Sequence, residues 1–283
     1  ARSASVAFKN ILAMTTNSKR IVDLVEKSVK DFTDNRRSIR RGEIPLGPVR
    51  LAVSFICSGS GRLAAVATKT RLLNDIDPFD LTDEDRLNQF LNHVFKSRRR
   101  KYRTAKKRIP QLLQRLRSLM NDLKKLPQSD RIRHFEEALQ SELKLKKGQM
   151  GGIGRKGIDN ILRDCGYFER VPIDRHEETF LIRTGIFHTY ADRAASPLEY
   201  DHLAEALRNF CKRELSEVSI GGLSLSDAPG IVDLIIWYFC QEKTDEPISL
   251  AICAKKPKCE ECPMIQLCHF ARVNLNRKEK NFS

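Results

Sequence analysis

The chain has 283 residues, with 51 Lys and Arg against 36 Asp and Glu, for a formal charge of +15 at neutral pH. With 41% hydrophobic residues it has the balance of a folded protein rather than a disordered polycation, and its charge favours a polyanionic partner, nucleic acid first and an acidic membrane surface second. No apolar stretch is long enough to span a bilayer and no secretory signal stands at the start, so a soluble intracellular protein is expected, in the cytoplasm or nucleoid of a prokaryote or the nucleus of a eukaryote.

Helical spacing dominates. Ile21, Leu24, Val25, Val29 and Phe32 predict a helix over 21–32, and an apolar run over 51–57 ends at Ser58-Gly59-Ser60-Gly61. Further helices are predicted over 63–73, 84–95, 109–124 and 131–145, separated by a basic stretch and by Pro127. Beyond them, 179–186, 198–215 and 230–242 read as helices, the last nearly apolar around Ile235, Ile236, Trp237 and Phe239. Breaks fall at Gly42 to Pro48 and after Gly166, and no alternating strand or internal repeat is visible. The expected fold is therefore all-α.

Basic residues are clustered. Lys96 to Arg108 contains no acid and includes Arg98, Arg99 and Arg100, a run that suits a solvated helix face or a phosphate track.

Two segments carry chemistry. Cys253, Cys259, Cys262 and Cys268 lie in a short stretch broken by Pro257 and Pro263 and interspersed with lysines, which suits neither a buried stripe nor two disulfides. Four thiolates at this spacing select zinc or an iron–sulfur cluster. The remaining cysteines, Cys57, Cys165, Cys211 and Cys240, fit a reducing compartment. Upstream, Lys147 to Lys156 is a glycine-dense turn leading into an apolar helical face at Ile158, Ile161 and Leu162. Glycines there allow close backbone approach, and the free amides of the new helix favour an anion. This is the pattern of a phosphate-holding hairpin, built on Gln149, Gly152, Gly154 and Arg155.

Met150-Gly-Gly-Ile-Gly-Arg-Lys156 resembles the hairpin of the helix-hairpin-helix DNA glycosylases, a superfamily that includes endonuclease III, the MutY-type adenine glycosylases and the archaeal 8-oxoguanine glycosylase/lyases. Ile173-Asp174-Arg175-His176 resembles its Val-Asp-Thr-His, and the eighteen positions from Lys156 to Asp174 match its lysine–aspartate separation. The cysteine segment resembles the endonuclease III and MutY iron–sulfur module. It differs in a first gap of five residues where six are usual, and Gly151 replaces the hairpin proline. Leu162 to Tyr167, Arg175 and Val53 to Gly61 look more like the archaeal 8-oxoguanine enzymes, which lack the cluster.

The resemblance implies a two-domain architecture, with 1–50 and 167–283 forming one helical domain that carries the cluster loop at 253–268, and 51–166 forming the barrel domain with the hairpin over 131–166. It implies a [4Fe–4S] cluster in place of zinc, a monovalent cation at the hairpin, and a monomer acting on duplex DNA with a damaged or mismatched base. Lys156 would attack the sugar C1′ and Asp174 would stabilise the developing positive charge, with the helix dipole and desolvation lowering the lysine pKa. The implied activity is base excision followed by strand nicking. The other readings are a monofunctional mismatch glycosylase and a non-catalytic DNA-binding protein. Glu177, three residues beyond Asp174, also makes that aspartate a candidate helix cap. Tyr102, Phe95, Ser58, Ser60 and Gln149 are candidates for the base pocket or wedge.

Overall fold

A computed structural model describes residues 4–16, 19–58, 73–95, 99–143, 153–190, 200–242 and 250–273. The chain divides into two compact units, Ala1–Asp31 with Tyr167–Ser283, and Phe32–Gly166. One join lies inside a single helix and the other follows Gly166.

The first helix, α1 (Ala4–Ala13), is followed by a two-residue antiparallel pair, β1 (Thr15–Thr16) and β2 (Lys19–Arg20). Helix α2 (Ile21–Arg41) runs well past the predicted end at 32, because its polar continuation keeps Ile39 buried while Arg37, Arg40 and Arg41 reach solvent or the last carbonyls. Gly42 at φ 85 stops it. Helix α3 (Leu46–Ser58) then starts before the predicted break has ended, with Pro48 in its first turn, where a missing amide hydrogen is harmless.

In the second unit, a 3₁₀ turn at Pro78–Thr82 leads into α4 (Glu84–Val94), capped by the Asp83 side chain on Arg86 N at 3.0 Å. Next comes α5 (Arg99–Lys125), which corrects the sequence reading at one point: the second helix begins not at 109 but ten residues earlier, so that most of the basic stretch forms its amino-terminal part and it continues through Pro110. Ala105, Ile109, Leu112, Leu113, Leu116, Leu119 and Leu123 form its continuous buried stripe, and that packing outweighs the lost proline hydrogen bond. Helices α6 (Gln128–Leu143) and α7 (Arg155–Asp164) complete the unit. Helix α3 packs on α5 and α7, and α6 bridges the same pair. Predicted helix 63–73 falls almost wholly outside the described residues.

The first unit continues with α8 (Arg175–Thr184), α9 (Ile186–Tyr190), α10 (Tyr200–Glu214), the hairpin β3 (Ser219–Ile220) and β4 (Leu223–Ser224), and α11 (Pro229–Cys240). Gly221 and Gly222, both at positive φ, make the two-residue turn between β3 and β4. The predicted helix over 179–186 begins earlier, at Arg175, and is split by Gly185 at φ 83. Phe8, Phe180, Phe210 and Phe239 interlock at the centre, with Phe8 and Phe180 edge to face at 6.4 Å and Phe180 and Phe239 at 6.1 Å. The two small hairpins leave the class all-α.

The end of α7 is tied to α2. Asn35 donates to Asp164 O at 2.8 Å, Arg36 donates to Gly166 O, and Arg163 donates to Asp164 Oδ1 while lying over the Phe32 ring at 5.8 Å. Gly166 sits at φ 82, and a Cβ there would stand 2.8 Å from both Phe32 O and Arg36 Cβ. Gly166→Ala is therefore expected to destabilise the protein by about 2–4 kcal/mol, combining left-handed strain with a backbone clash. Gly47, where a Cβ would meet nothing within 4 Å, is the control: Gly47→Ala should be neutral or stabilising by about 0.5–1 kcal/mol. Paired denaturant titrations measure both.

Candidate nucleic-acid interface and metal centre

Lys156 is the second residue of α7. The helix is entered from Gly154, whose backbone is extended and which supplies no side-chain cap. Among the described residues a Cβ on Gly154 would meet nothing within 4 Å, so packing within the chain does not demand glycine there. Gly157 is the opposite case, since a Cβ on it would lie 2.8 Å from Ile153 Cγ2 and 3.5 Å from Phe55 Cδ2. The tight approach of Ile153 to Gly157 thus leaves no room for a side chain beside Lys156, which is half-buried. Asn160 donates to Lys156 O at 3.1 Å and Arg155 is exposed. Gln149, Gly152 and Arg98 lie outside the described residues, as does Ser60.

Asp174 caps α8. Its Oδ1 accepts from His176 N at 2.6 Å, and Glu177 Oε2 accepts from Asp174 N at 2.8 Å, which completes a capping box. Glu177 is buried while Asp174 is half-exposed. The carboxylate is therefore oriented by its own helix and also sits at the positive end of that helix's dipole. Among the wedge and pocket candidates, Phe95 is core, and Tyr102 is half-buried with its hydroxyl on Asn88 Oδ1 at 3.0 Å.

The cysteine loop folds onto the ends of α8 and α11. Ile252 N donates to Phe239 O at 2.9 Å, Lys258 N closes back on Ile252 O at 2.8 Å, and a 3₁₀ turn at Cys259–Glu261 leads to Cys262. Met264 and Ile252 are buried beneath it. Arg183, from the last turn of α8, donates to Ala254 O at 2.7 Å and Cys253 O at 3.3 Å, approaches Cys253 Sγ at 3.8 Å, and lies over the Phe270 ring at 5.0 Å. Cys268 Sγ in turn donates to Arg183 O at 3.3 Å. Sequence reasoning missed Arg183, because a contact across seventy positions leaves no spacing signal. One helix thus begins at Asp174 and ends in the clamp on the cysteine loop.

The thiols sense one another. Cys253 is held down at about 7, first by its hydrogen bond with Cys240 and then by Arg183, whereas burial and the charges of Cys253, Cys268 and Cys259 push Cys262 up to about 12. Burial also raises Cys268 and the deeply buried Cys240. Among the described residues no three His, Cys, Asp or Glu close on a single point.

Residues 254–268 match the family described as the iron-sulfur binding domain of endonuclease III. Over these residues the chain is similar to the iron–sulfur module of endonuclease III. Its cofactor is a [4Fe–4S] cluster. An 8-oxoguanine DNA glycosylase/AP lyase of Saccharolobus islandicus strain Y.N.15.51 / Yellowstone #2 is 33% identical over 87 residues, which is 31% of this chain and 37% of that protein. Proteins of the same name from strains L.S.2.15 / Lassen #1 and M.14.25 / Kamchatka #1 match to the same extent. The matched region thus spans little over a third of the length of these relatives. No solved structure matches.

The shortened first gap has a visible conformational counterpart. Ala251, two residues before Cys253, holds φ 53, a left-handed backbone that favours glycine. Ala251→Gly should stabilise the apoprotein by up to about 1 kcal/mol, and Ala251→Val should destabilise it by more than that, as read from thermal melts. Purified protein is expected to be brown and to hold iron and sulfide rather than zinc. Cys262→Ser should lose the metal and lower the melting temperature of the carboxyl-terminal segment, because metal binding and folding are linked. One zinc and no iron per chain by elemental analysis would overturn the cluster.

Proposed function

We propose that the chain is a DNA repair glycosylase with AP lyase activity, which excises a damaged base from duplex DNA and nicks the abasic strand through a Schiff base on Lys156. The relatives' name makes 8-oxoguanine the first lesion to test. The observation that carries the reading is the placement of Lys156 one residue inside a helix that is entered through an open glycine. Such an amino terminus holds a backbone phosphate through its amides and sets the adjacent lysine beside the sugar. Gly152, Gly154, Arg155 and Gln149 form this hairpin contact, which is also where a monovalent cation would bind, and Arg98, Arg99 and Arg100 add phosphate contacts.

The proposed chemistry is as follows. The target nucleotide leaves the stack, at an unpairing cost that is smallest for a damaged pair. The glycosidic bond breaks with its electron pair leaving on the base, which takes up a proton. The Asp174 carboxylate offsets the positive charge at C1′ and accepts a proton from the Lys156 ammonium. The free Lys156 amine bonds to C1′, the sugar ring opens to an imine, and loss of a C2′ proton expels the 3′ phosphate. Cys253, Cys259, Cys262 and Cys268 hold the cluster, which organises the carboxyl-terminal loop and supplies no reacting atom.

Lys156→Gln is expected to abolish borohydride trapping and strand nicking while DNA affinity stays within a few-fold, since backbone amides supply the hairpin's grip. Asp174→Asn should slow excision by about 10²-fold or more with little change in stability, because asparagine caps as well as aspartate. Asp174→Ala should lose about 1 kcal/mol of stability in addition. Trapping that persists in Lys156→Gln on both lesion and abasic duplexes would make another amine the nucleophile.

A further inference from the structure

Helix α5 carries eleven Lys and Arg and a single acid, Asp122, so that its 27 residues hold a formal +10 of the chain's +15. The charge is arranged against the helix's own stability. Helices α2, α4 and α6 each place an acid in the first turn, where the dipole favours one, whereas α5 opens with Arg99, Arg100 and Lys101 and has none there. Arg99, Arg103 and Lys107 then follow at intervals of four, an alignment in which like charges repel.

Two ion pairs tie the helix to acids. Glu84 pairs with Lys106 at 2.8 Å, and Asp122 with Lys125 at 3.4 Å. Arg117 rests over the Phe79 ring at 5.4 Å and donates to Phe79 O. Arg103, Lys107 and Lys124 are exposed, and among the described residues no carboxylate pairs with them. Between them Gln114, Arg115, Arg117, Ser118 and Asn121 are also exposed. At 1.5 Å per residue the helix is about 40 Å long, roughly one turn of duplex.

This ridge is not part of the hairpin contact. Leu112 and Leu116 of α5 line the same internal gap as Ile161 of α7, so the two helices meet across the core of their unit. The solvent face of α5 is therefore turned away from α7 and from Lys156.

We propose that the outer face of α5 is a second, lesion-blind DNA site that tracks the phosphates of duplex away from the base being excised. The identity of the partner as duplex DNA rests on the proposed function; the surface itself does not. Phosphates would neutralise a cationic row that the fold leaves uncompensated, and releasing their counterions would make the contact steeply salt-dependent.

The test replaces Arg103, Lys107 and Lys124 together by Gln and measures binding to an undamaged duplex of about 60 base pairs and excision on a lesion duplex of about 12. Affinity for the long duplex should fall at least tenfold at about 0.1 M salt, and the slope of log K against log salt should shrink by about 2–3. The single-turnover excision rate on the short duplex should stay within twofold. The charge-retaining triple variant Arg103→Lys, Lys107→Arg, Lys124→Arg should match wild type, so that a loss specific to the Gln variant reads charge rather than folding. Unchanged affinity and slope would make the ridge a solvated face, and an equal loss on both duplex lengths would make it part of the hairpin contact; either result overturns the proposal, as would tighter binding to an RNA duplex. If wild type neither excises nor traps on any lesion while the long-duplex effect holds, the enzymatic reading falls and the second site stands.

Discussion

The reversal at Gly166 is the constraint on which the hairpin unit depends. Only a residue without a side chain can sit at φ 82 with Phe32 O and Arg36 Cβ so close. That closeness brings the end of α7 against α2, where Asn35 and Arg36 satisfy carbonyls that a helix terminus otherwise leaves without partners. With its far end fixed there and its near end packed against Ile153 at Gly157, α7 carries Lys156 on a helix anchored at both ends.

The other unit solves a comparable problem with polar groups. Its aromatic core sets α8 and α11 side by side, and α8 then carries two duties at its two ends. Asp174 and Glu177 satisfy each other's backbone at the start. Arg183 satisfies two carbonyls of the cysteine loop at the finish. A loop of fifteen or so residues without regular structure would ordinarily be a weak point. Here the guanidinium clamp, the buried Met264 and the covalent grip of a cluster on four thiolates replace the hydrophobic contacts the loop lacks. The strained backbone at Ala251 is tolerated because the contacts on either side over-determine its position.

Charge separates the two structural strategies. In the proposed function the hairpin would meet an anion with backbone amides, which positions a ligand, whereas the side chains of α5 would attract a polyanion without selecting its sequence.

Much of this was legible in the residues themselves. Helical periodicity identified most of the helices because each buries a continuous stripe, and the cysteine spacing marked a metal site, zinc or iron–sulfur, with the resemblance to the endonuclease III module choosing the cluster. Asp174 with Glu177 three residues on was readable for the same reason: a cap is local, and local chemistry is written in local sequence. The extent of α5 was not. Pro110 and a run of cations argue for a break, and only burial of Ala105 and Ile109 against α3 and α4 shows that packing overrides both. Nor could the sequence reveal Arg183 at the cysteine loop, the obligatory glycine at 166 or the open one at 154, since each depends on what a distant part of the chain brings within a few ångströms. The sequence determined which groups the protein has and how the local turns bend; long-range packing decided which of those groups meet and which are left facing outward for a partner.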